Sequence, residues 1–186
     1  NIPNTFCCQN GVDENLFYYK FPRASKPTAC WIGNSNSMNN KGLDLIQIAC
    51  KESNIELIVV NRDATVIAKE NLLTQEELRD HIYHKADFYI CASEMEGTPN
   101  PALEALACGL PIISTPVGNM PEIIVNAYNG FIVDRSVEGI KSGINLLMNS
   151  NLEDLSKNAR NSILNGWRWS DQVKKYEDMF QSILKI

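Results

Sequence analysis

A buried strand, a polar loop and a short helix follow one another over residues 87–109, which read DFYICASEMEGTPNPALEALACG. The apolar run predicts a strand over residues 87–92, because a short apolar run bounded by turn residues is typical of a strand buried in a sheet. Asn100 suits an N-cap, and Pro101 suits the first helical position, where its missing N–H would have no intrahelical partner. We therefore expect a helix over residues 101–108 whose N-terminus faces the loop.

The rest of the chain alternates apolar runs with helix-period segments, as repeated βα units do. We predict further strands over residues 28–33, 55–60, 110–114 and 130–133. We predict helices over residues 41–53 and 74–84, a helical turn over 121–126 and helical structure from residue 137 onward. Thr74 and Glu77 form a capping-box pattern at the start of the second helix. The predicted fold class is α/β, a Rossmann-like, mostly parallel sheet flanked by helices.

The last predicted helix carries one apolar stripe. Its members recur at spacings of three and four, and they are Trp169, Val173, Tyr176, Phe180 and Ile183. This spacing places them on one face of a helix, which we interpret as a packing face rather than a cofactor site.

Length and composition limit the class of protein. A chain of 186 residues with 44% hydrophobic content can bury one core, so we expect one domain, with a loop-rich lead over residues 1–27 and a helical region over 137–186. The formal net charge is -5 and the basic residues are scattered, which argues against nucleic acid as a partner. No run approaches the roughly 20 apolar residues that cross a bilayer. The chain begins at Asn1 without a signal-like segment, so we expect it to be a piece of a longer protein.

The six cysteines form no CxxC pair, and several lie in apolar runs, where a thiol behaves as a small hydrophobe. This pattern favours a reducing, cytoplasmic setting. His81 and His84 have the i, i+3 spacing of metal ligands on a helix, but no third ligand lies nearby in the sequence. We therefore interpret the two histidines as part of an exposed helix face.

Two carboxylates flank the predicted helix N-terminus. Glu96 lies in the loop, and the cap places Glu104 in the first turn, so both can face one cleft at the carboxyl end of the strand. The helix N-terminus favours an anion such as a diphosphate between them. A carboxylate can accept hydrogen bonds from two neighbouring hydroxyls, so Glu104 suits a ribose and Glu96 a sugar. Spacing alone favours a simpler interpretation, in which Glu96 is a solvated loop residue and Glu104 a favourable acid in a first helical turn.

The spacing from Glu96 to Glu104 resembles the E-x7-E signature of retaining glycosyltransferases with the GT-B fold, in their large fourth family. Further segments match the family in order along the chain: Asn10-Gly11-Val12-Asp13, Lys41-Gly42-Leu43-Asp44, Ala86-Asp87, Glu96-Gly97, Glu104-Ala105, Cys108-Gly109-Leu110-Pro111, Gly118 to Glu122, Asn129-Gly130-Phe131 and Trp169-Ser170. The resemblance implies the C-terminal, nucleotide-sugar-binding half of a two-domain enzyme. The acceptor would be held mainly by an N-terminal domain that is absent here.

The resemblance also implies roles for single residues. The catalytic residues would be Glu96, which contacts hydroxyls of the transferred sugar, and Lys41, whose ammonium stabilises the leaving diphosphate. Glu104 would hold the ribose. The remaining donor-binding residues would be Gly33, Asn34, Gly97, Thr98 and Asn100.

Two positions depart from the family pattern. Relatives commonly carry an arginine after the glycine that ends the first strand, where this chain has Asn34; Arg62, after the second strand, is the candidate replacement. Pro99 and Pro101 have no N–H to donate. Anion binding at this helix would therefore use Thr98, Asn100 or amides further into the helix.

The loop before Thr74 often grips the base in this family, which makes Asn71, Leu72 and Leu73 the base-binding candidates. The alternative is a plain connection whose leucines pack inward. The segment with the two glutamates lacks an Asp-x-Asp triad, so we predict no essential metal and no cofactor besides the nucleotide-sugar substrate.

The resemblance implies transfer of a sugar from a UDP- or GDP-sugar to a glycan or lipid-linked acceptor in surface polysaccharide or glycoconjugate synthesis. Retention of the anomeric configuration is implied by the resemblance alone. A sugar-nucleotide epimerase of related fold and a non-catalytic nucleotide-binding or scaffold module stay open as alternatives. We expect a cytoplasmic location, with peripheral membrane contact of a full-length protein left open, and we expect the isolated domain to be inactive in transfer.

Overall fold

The computed structural model describes residues 6–21, 26–34, 40–62 and 72–184. Five strands form one sheet in the order β2-β1-β3-β4-β5, and every neighbouring pair is parallel. The strands are β1 (Thr28–Gly33), β2 (Glu56–Asn61), β3 (Phe88–Cys91), β4 (Ile112–Ser114) and β5 (Gly130–Ile132). The predicted α/β fold with a parallel sheet is therefore confirmed.

Seven α-helices connect and cover the strands. They are α1 (Leu43–Glu52), α2 (Gln75–Leu78), α3 (Asn100–Ala107), α4 (Met120–Ile123), α5 (Val137–Met148), α6 (Leu152–Leu164) and α7 (Trp169–Leu184) in the described part of the chain. The predicted capping box at Thr74 is present, since its hydroxyl accepts from the Glu77 amide and the Glu77 carboxylate accepts from the Thr74 amide. None of the helices described here combines the length and the apolar character that crossing a bilayer requires.

The core has two layers, one on each face of the sheet. Successive side chains of a strand point to opposite faces, so Trp31 and Phe88 pack with α1 and α5, whereas Ile32 and Tyr89 pack with α3 and α6. Four of the six cysteines are buried free thiols, in agreement with their apolar surroundings in the sequence: Cys30, Cys50, Cys91 and Cys108. Both faces of the sheet are covered, as is usual for a parallel sheet.

The predicted helix over residues 74–84 changes its pitch halfway. After α2, residues Arg79–Tyr83 form a π-helical turn, closed by a bond from the His84 amide to the Arg79 carbonyl at 2.8 Å. This five-residue step separates His84 from the face of His81. His84 is buried and its Nε2 lies 3.0 Å from the Tyr18 carbonyl, so the prediction that both histidines lie on an exposed face is wrong for His84.

The apolar stripe of α7 is largely exposed in the described structure. Val173, Phe180 and Ile183 are 45%, 55% and 59% exposed, and Gln172 is the buried residue of this helix within its described length. Within the described residues these three side chains of the predicted packing face are therefore not covered. The helix contacts the domain at its first turn, where the Trp169 amide donates to the Val12 carbonyl, and at Tyr176, whose hydroxyl donates to the Cys8 carbonyl at 3.3 Å.

Candidate functional site

The strand order reverses direction between β1 and β3, because the chain passes from β1 outward to β2 and then returns to the other side of β1. In open parallel sheets a crevice forms outside the carboxyl ends of the strands at such a reversal, and ligands bind there. Asn34 follows β1 and Ser93 follows the end of β3 at this edge. The loop with the two predicted glutamates therefore starts at the place where the topology puts a crevice.

Gly42 brings the start of α1 against the end of β3. Its backbone is left-handed, with φ of 66°, and a Cβ here would overlap the Ala92 carbonyl oxygen. The Glu94 amide also donates to the Asn40 carbonyl at 2.7 Å. Because the two backbones touch at these points, Lys41 lies directly beside the loop that carries Glu96.

Lys41 and Glu96 form an ion pair in this position. The Lys41 ammonium lies 2.6 Å from Glu96 Oε1, and the Ser93 hydroxyl donates to the same oxygen at 2.8 Å. The two side chains are 28% and 15% exposed, so the pair is shielded but reachable from the crevice. Both bonds fall on Oε1, and within the described ranges Oε2 has no protein partner.

Glu104 is more deeply buried than Glu96. It is 8% exposed, and the Tyr83 hydroxyl donates to its Oε2 at 2.6 Å. Burial raises the pKa of the Glu104 carboxyl, whereas the Tyr83 hydrogen bond and the positive charge of Arg62 act in the opposite direction. Glu104 is the fifth residue of α3, so its predicted place in the first turn is wrong.

Adjoining hollows connect the two glutamates through Lys41. A hollow of about 460 Å³ is lined by Lys41 and Glu104, among others, and a second of about 510 Å³ is lined by Lys41 and Glu96. A third hollow, of about 330 Å³, lies on the other side of Glu104 against Val12 and Trp169. Lys41 lines both of the first two hollows, so the predicted pair of acids faces adjoining space.

The N-terminus of α3 differs from the prediction. Pro99 holds the cap position without a side-chain cap bond, and Asn100 is the first helical residue, so Asn100 is not the N-cap. Its side-chain oxygen accepts from Asn10 Nδ2 at 3.0 Å, and its side chain lines the 460 Å³ hollow. The amides of Ala102 and Leu103 both donate to the Pro99 carbonyl. Amides further into the helix are therefore occupied, and the residues left for an anion are Asn100 and the preceding Thr98.

The other predicted donor residues lie at two places. Gly33 and Asn34 line the 460 Å³ hollow at the end of β1, together with Arg62 from the end of β2. Gly97 and Thr98 lie in the loop beyond Glu96 and line none of the three hollows. The structure thus brings Arg62 to the cleft wall where the sequence has the neutral Asn34.

Two of the three base-binding candidates, Leu72 and Leu73, lie in the described part of the chain. Asn71 lies outside the described residues, and Leu72 is half-buried. Leu73 packs against the core, as the alternative of a plain connection would require. Gln75, the first residue of α2, lines the hollows on both sides of Glu104 and was missed. Its signal was its place just after the Thr74 cap, because helix N-termini follow the ligand-binding edge of a parallel sheet.

A metal site has no support among side chains of the described part of the chain. No three His, Cys, Asp or Glu residues cluster there closely enough to hold an ion. Chemistry without an essential metal stays a prediction.

Comparisons with known proteins bear on the same region. Residues 72–162 match a family model described as Glycosyl transferases group 1. Among curated proteins, the chain is similar to the UDP-Gal:alpha-D-GlcNAc-diphosphoundecaprenol alpha-1,3-galactosyltransferase of Escherichia coli, with 32% identity over 104 residues that cover 54% of this chain and 26% of that protein. The chain matches about a quarter of the length of the curated relatives at 31% to 34% identity.

Solved structures share the fold. The C-terminal domain of the group 1 glycosyl transferase LpcC from Francisella tularensis superposes with a TM-score of 0.69 at 20% identity, covering 85% of this chain and 99% of that one. A TarM variant of S. aureus, solved with Fondaparinux, alpha-GlcNAc-glycerol and UDP, superposes with a TM-score of 0.75 at 16% identity, covering 97% of this chain and 40% of that one. The matched residues 72–162 include the loop and helix of the crevice, so this part of the chain is similar to the group 1 glycosyl transferases, and the chain has the Rossmann-like fold of half a GT-B enzyme.

Proposed function

We propose that this chain is the donor-binding half of a retaining glycosyltransferase that takes a sugar from a UDP- or GDP-sugar. The acceptor would be a glycan or lipid-linked sugar in surface polysaccharide or glycoconjugate synthesis, held mainly by another domain. One observation carries the proposal: Lys41 lines two adjoining hollows, one with Glu96 and one with Glu104. A nucleotide-sugar has its diphosphate between its ribose and its sugar, which is the order in which these three side chains line the cleft.

Relatives support the chemical class of the donor. The Escherichia coli relative is named for UDP-Gal, and the TarM variant was solved with UDP. Their shared requirement is a site for a nucleoside diphosphate. The cleft of this chain offers the carboxylates and cations that such a ligand needs.

Glu96 suits the sugar because of its pairing. The Lys41 ammonium and the Ser93 hydroxyl both hold Oε1, which fixes the direction of the carboxylate. Oε2 can then accept from sugar hydroxyls. A carboxylate held in advance by two donors loses little freedom when the sugar binds.

Side-chain cations, rather than the helix N-terminus, would stabilise the leaving diphosphate. Bond cleavage leaves negative charge on the nucleotide, and fixed donors in a shielded cleft stabilise it better than water does. The Ala102 and Leu103 amides already donate to Pro99, so α3 offers few free amides. Lys41 and Arg62 line the same 460 Å³ hollow and supply two positive charges in their place.

Nucleotide titration of Lys41→Met tests the proposal. Wild-type chain should bind UDP or GDP at one saturable site in calorimetry, and Lys41→Met should bind about 10- to 100-fold more weakly, because it loses a charge-assisted contact and leaves Glu96 facing the diphosphate. Lys26→Met is the matched control, since Lys26 also pairs with a glutamate, Glu56, but on the exposed surface. It should bind within twofold of wild type.

Two outcomes would contradict the proposal. Wild-type chain that binds neither nucleotide would favour a scaffold module. Interconversion of donor sugars without an acceptor by the complete protein would favour an epimerase.

A further inference from the structure

Tyr83 occupies an unusual position in the helix that precedes β3. It ends the π-helical turn Arg79–Tyr83, in which the His84 amide reaches back five residues to Arg79 at 2.8 Å. Single π-helical turns are rare and often occur at functional sites, because the extra residue redirects the side chains that follow. This one turns Tyr83 into the protein, towards α3.

The Tyr83 side chain is completely buried and held at both ends. Its ring packs edge-on against Phe17, with ring centroids 5.8 Å apart and planes at 78°. Its hydroxyl donates to Glu104 Oε2 at 2.6 Å. A hydroxyl held by a packed ring is a rigid donor, so this bond fixes one oxygen of the Glu104 carboxylate.

The Tyr83 hydrogen bond leaves the second oxygen of Glu104, Oε1, for a ligand. Glu104 is 8% exposed yet lines the hollows on both of its sides. With Oε2 held by Tyr83, the carboxylate has one orientation, and Oε1 is the oxygen left for a ligand. We propose that Tyr83 is a positioning residue that aims Glu104 at the ribose of a bound nucleotide. This inference rests on the proposed function.

The same hydrogen bond affects the charge of Glu104. Burial raises the pKa of its carboxyl, and the Tyr83 bond is the larger of the two opposing effects, ahead of Arg62. The titratable and charged groups that face Glu104 or share its hollows are Asp13, Lys41, Arg62, Tyr83 and Tyr89. Removing the Tyr83 hydroxyl should therefore raise the Glu104 pKa further, and binding that needs the ionised carboxylate should fail at a higher pH.

The test is a double-mutant cycle on nucleotide binding. Tyr83→Phe should weaken binding of UDP or GDP, whichever wild-type chain binds, by roughly tenfold at pH 7, the effect expected for loss of a hydrogen bond to a charged group. In a Glu104→Ala background, Tyr83→Phe should change the affinity by less than about twofold, because residues that act through one another are not additive. The matched control is Tyr89→Phe, which removes another buried hydroxyl, one that donates to the Ile32 carbonyl instead.

A pH series separates positioning from general damage. Wild-type affinity should fall as the pH falls through the Glu104 pKa, and the midpoint of that fall should move to higher pH in Tyr83→Phe but stay in place in Tyr89→Phe. If Tyr83→Phe does not fold, Glu104→Asp tests the same bond from its other end. The Glu104→Asp variant keeps the negative charge, but its side chain is one methylene shorter and no longer reaches the Tyr83 hydroxyl. Its affinity for the nucleotide should therefore also fall about tenfold.

The outcomes are distinguishable. If wild-type chain binds no nucleoside diphosphate, the proposed function and the positioning role both fail. If wild type binds and Tyr83→Phe matches it in affinity and in midpoint, the positioning role alone is overturned. An equal loss from Tyr83→Phe with and without Glu104 would also overturn it.

Discussion

Glu104 is a buried carboxylate at the wall of the cleft. A carboxylate this deeply buried is unfavourable unless hydrogen bonds or charges compensate it. Tyr83 donates one bond and Arg62 contributes positive charge, yet the pKa of Glu104 remains above its ordinary value of 4.5. Such an incompletely compensated charge is common at functional sites, where the ligand completes the set of partners.

Stability should therefore depend on pH through Glu104. Because its folded-state pKa is raised, the folded chain binds the proton more tightly than the unfolded chain, and the free energy of unfolding falls as the pH rises from 4.5 through the folded-state value. Glu104→Gln removes this loss and keeps an acceptor for the Tyr83 hydroxyl. Its melting temperature should exceed that of wild type at pH 8, by roughly 2–4 °C for each 1 kcal/mol gained.

The difference should vanish below pH 4.5, where wild type carries the proton as well. Glu94→Gln, at an exposed position of the neighbouring loop, is the control and should melt with wild type at both pH values. A Glu104→Gln chain that is less stable than wild type at pH 8 would show that the charge is fully compensated in the folded state.

The sequence predicted which residues lie at the cleft better than it predicted the contacts that hold them. Lys41, Glu96 and Glu104 were expected at one cleft, and the structure does place them around adjoining hollows. Tyr83 and Gln75 were not expected there. Both lie in α2 and the turn that follows it, and nothing in local periodicity signals that a helix will widen by one residue.

The elements follow from the sequence where one physical signal dominates. β1 was predicted with its observed bounds, Thr28–Gly33, because an apolar run between turn residues leaves little ambiguity. The N-terminus of α3 was misjudged by one residue. Asn100 bonds to Asn10, ninety positions away in the chain, and this tertiary contact outweighs its preference for the cap.

One glycine connects two elements and positions the site. Gly42→Ala should lower the free energy of unfolding by about 1–3 kcal/mol, because φ of 66° is unfavourable for alanine and the new methyl would overlap the Ala92 carbonyl. Movement of α1 away from β3 should also draw Lys41 from Glu96 and weaken nucleotide binding. Denaturant unfolding measures the first effect and calorimetry the second.

Gly97→Ala is the control for stability. A Cβ there meets no atom within 4 Å, so its free energy of unfolding should stay within about 0.5 kcal/mol of wild type. If Gly42→Ala is equally well tolerated, the contact between α1 and β3 does not hold Lys41 in place.

For the whole molecule, the informative features are apolar surfaces that nothing covers within the described residues. The stripe on α7 has helical periodicity, as the sequence predicted, but periodicity alone cannot say which surface covers it. The stripe is exposed in the described structure, and the solved relatives that this chain covers by 40% to 57% have further chain beyond the shared domain. Sequence patterns therefore predict the fold of this domain better than they predict which surfaces contact it.

On the proposed function, transfer by the isolated chain should be little or none, although it should still bind the nucleotide. In the proposed function the donor contacts come from Lys41, Glu96 and Glu104, whereas catalysis also needs an acceptor held in line and water excluded by closure around the site. Incubation with a radiolabelled UDP- or GDP-sugar and a lipid-linked acceptor should give no product above the level of Lys41→Met. The complete protein should give product, and Lys41→Met in that protein should reduce it at least tenfold, by loss of about 1.4 kcal/mol or more of transition-state stabilisation. Robust turnover by these 186 residues alone would mean that this chain holds the acceptor as well as the donor.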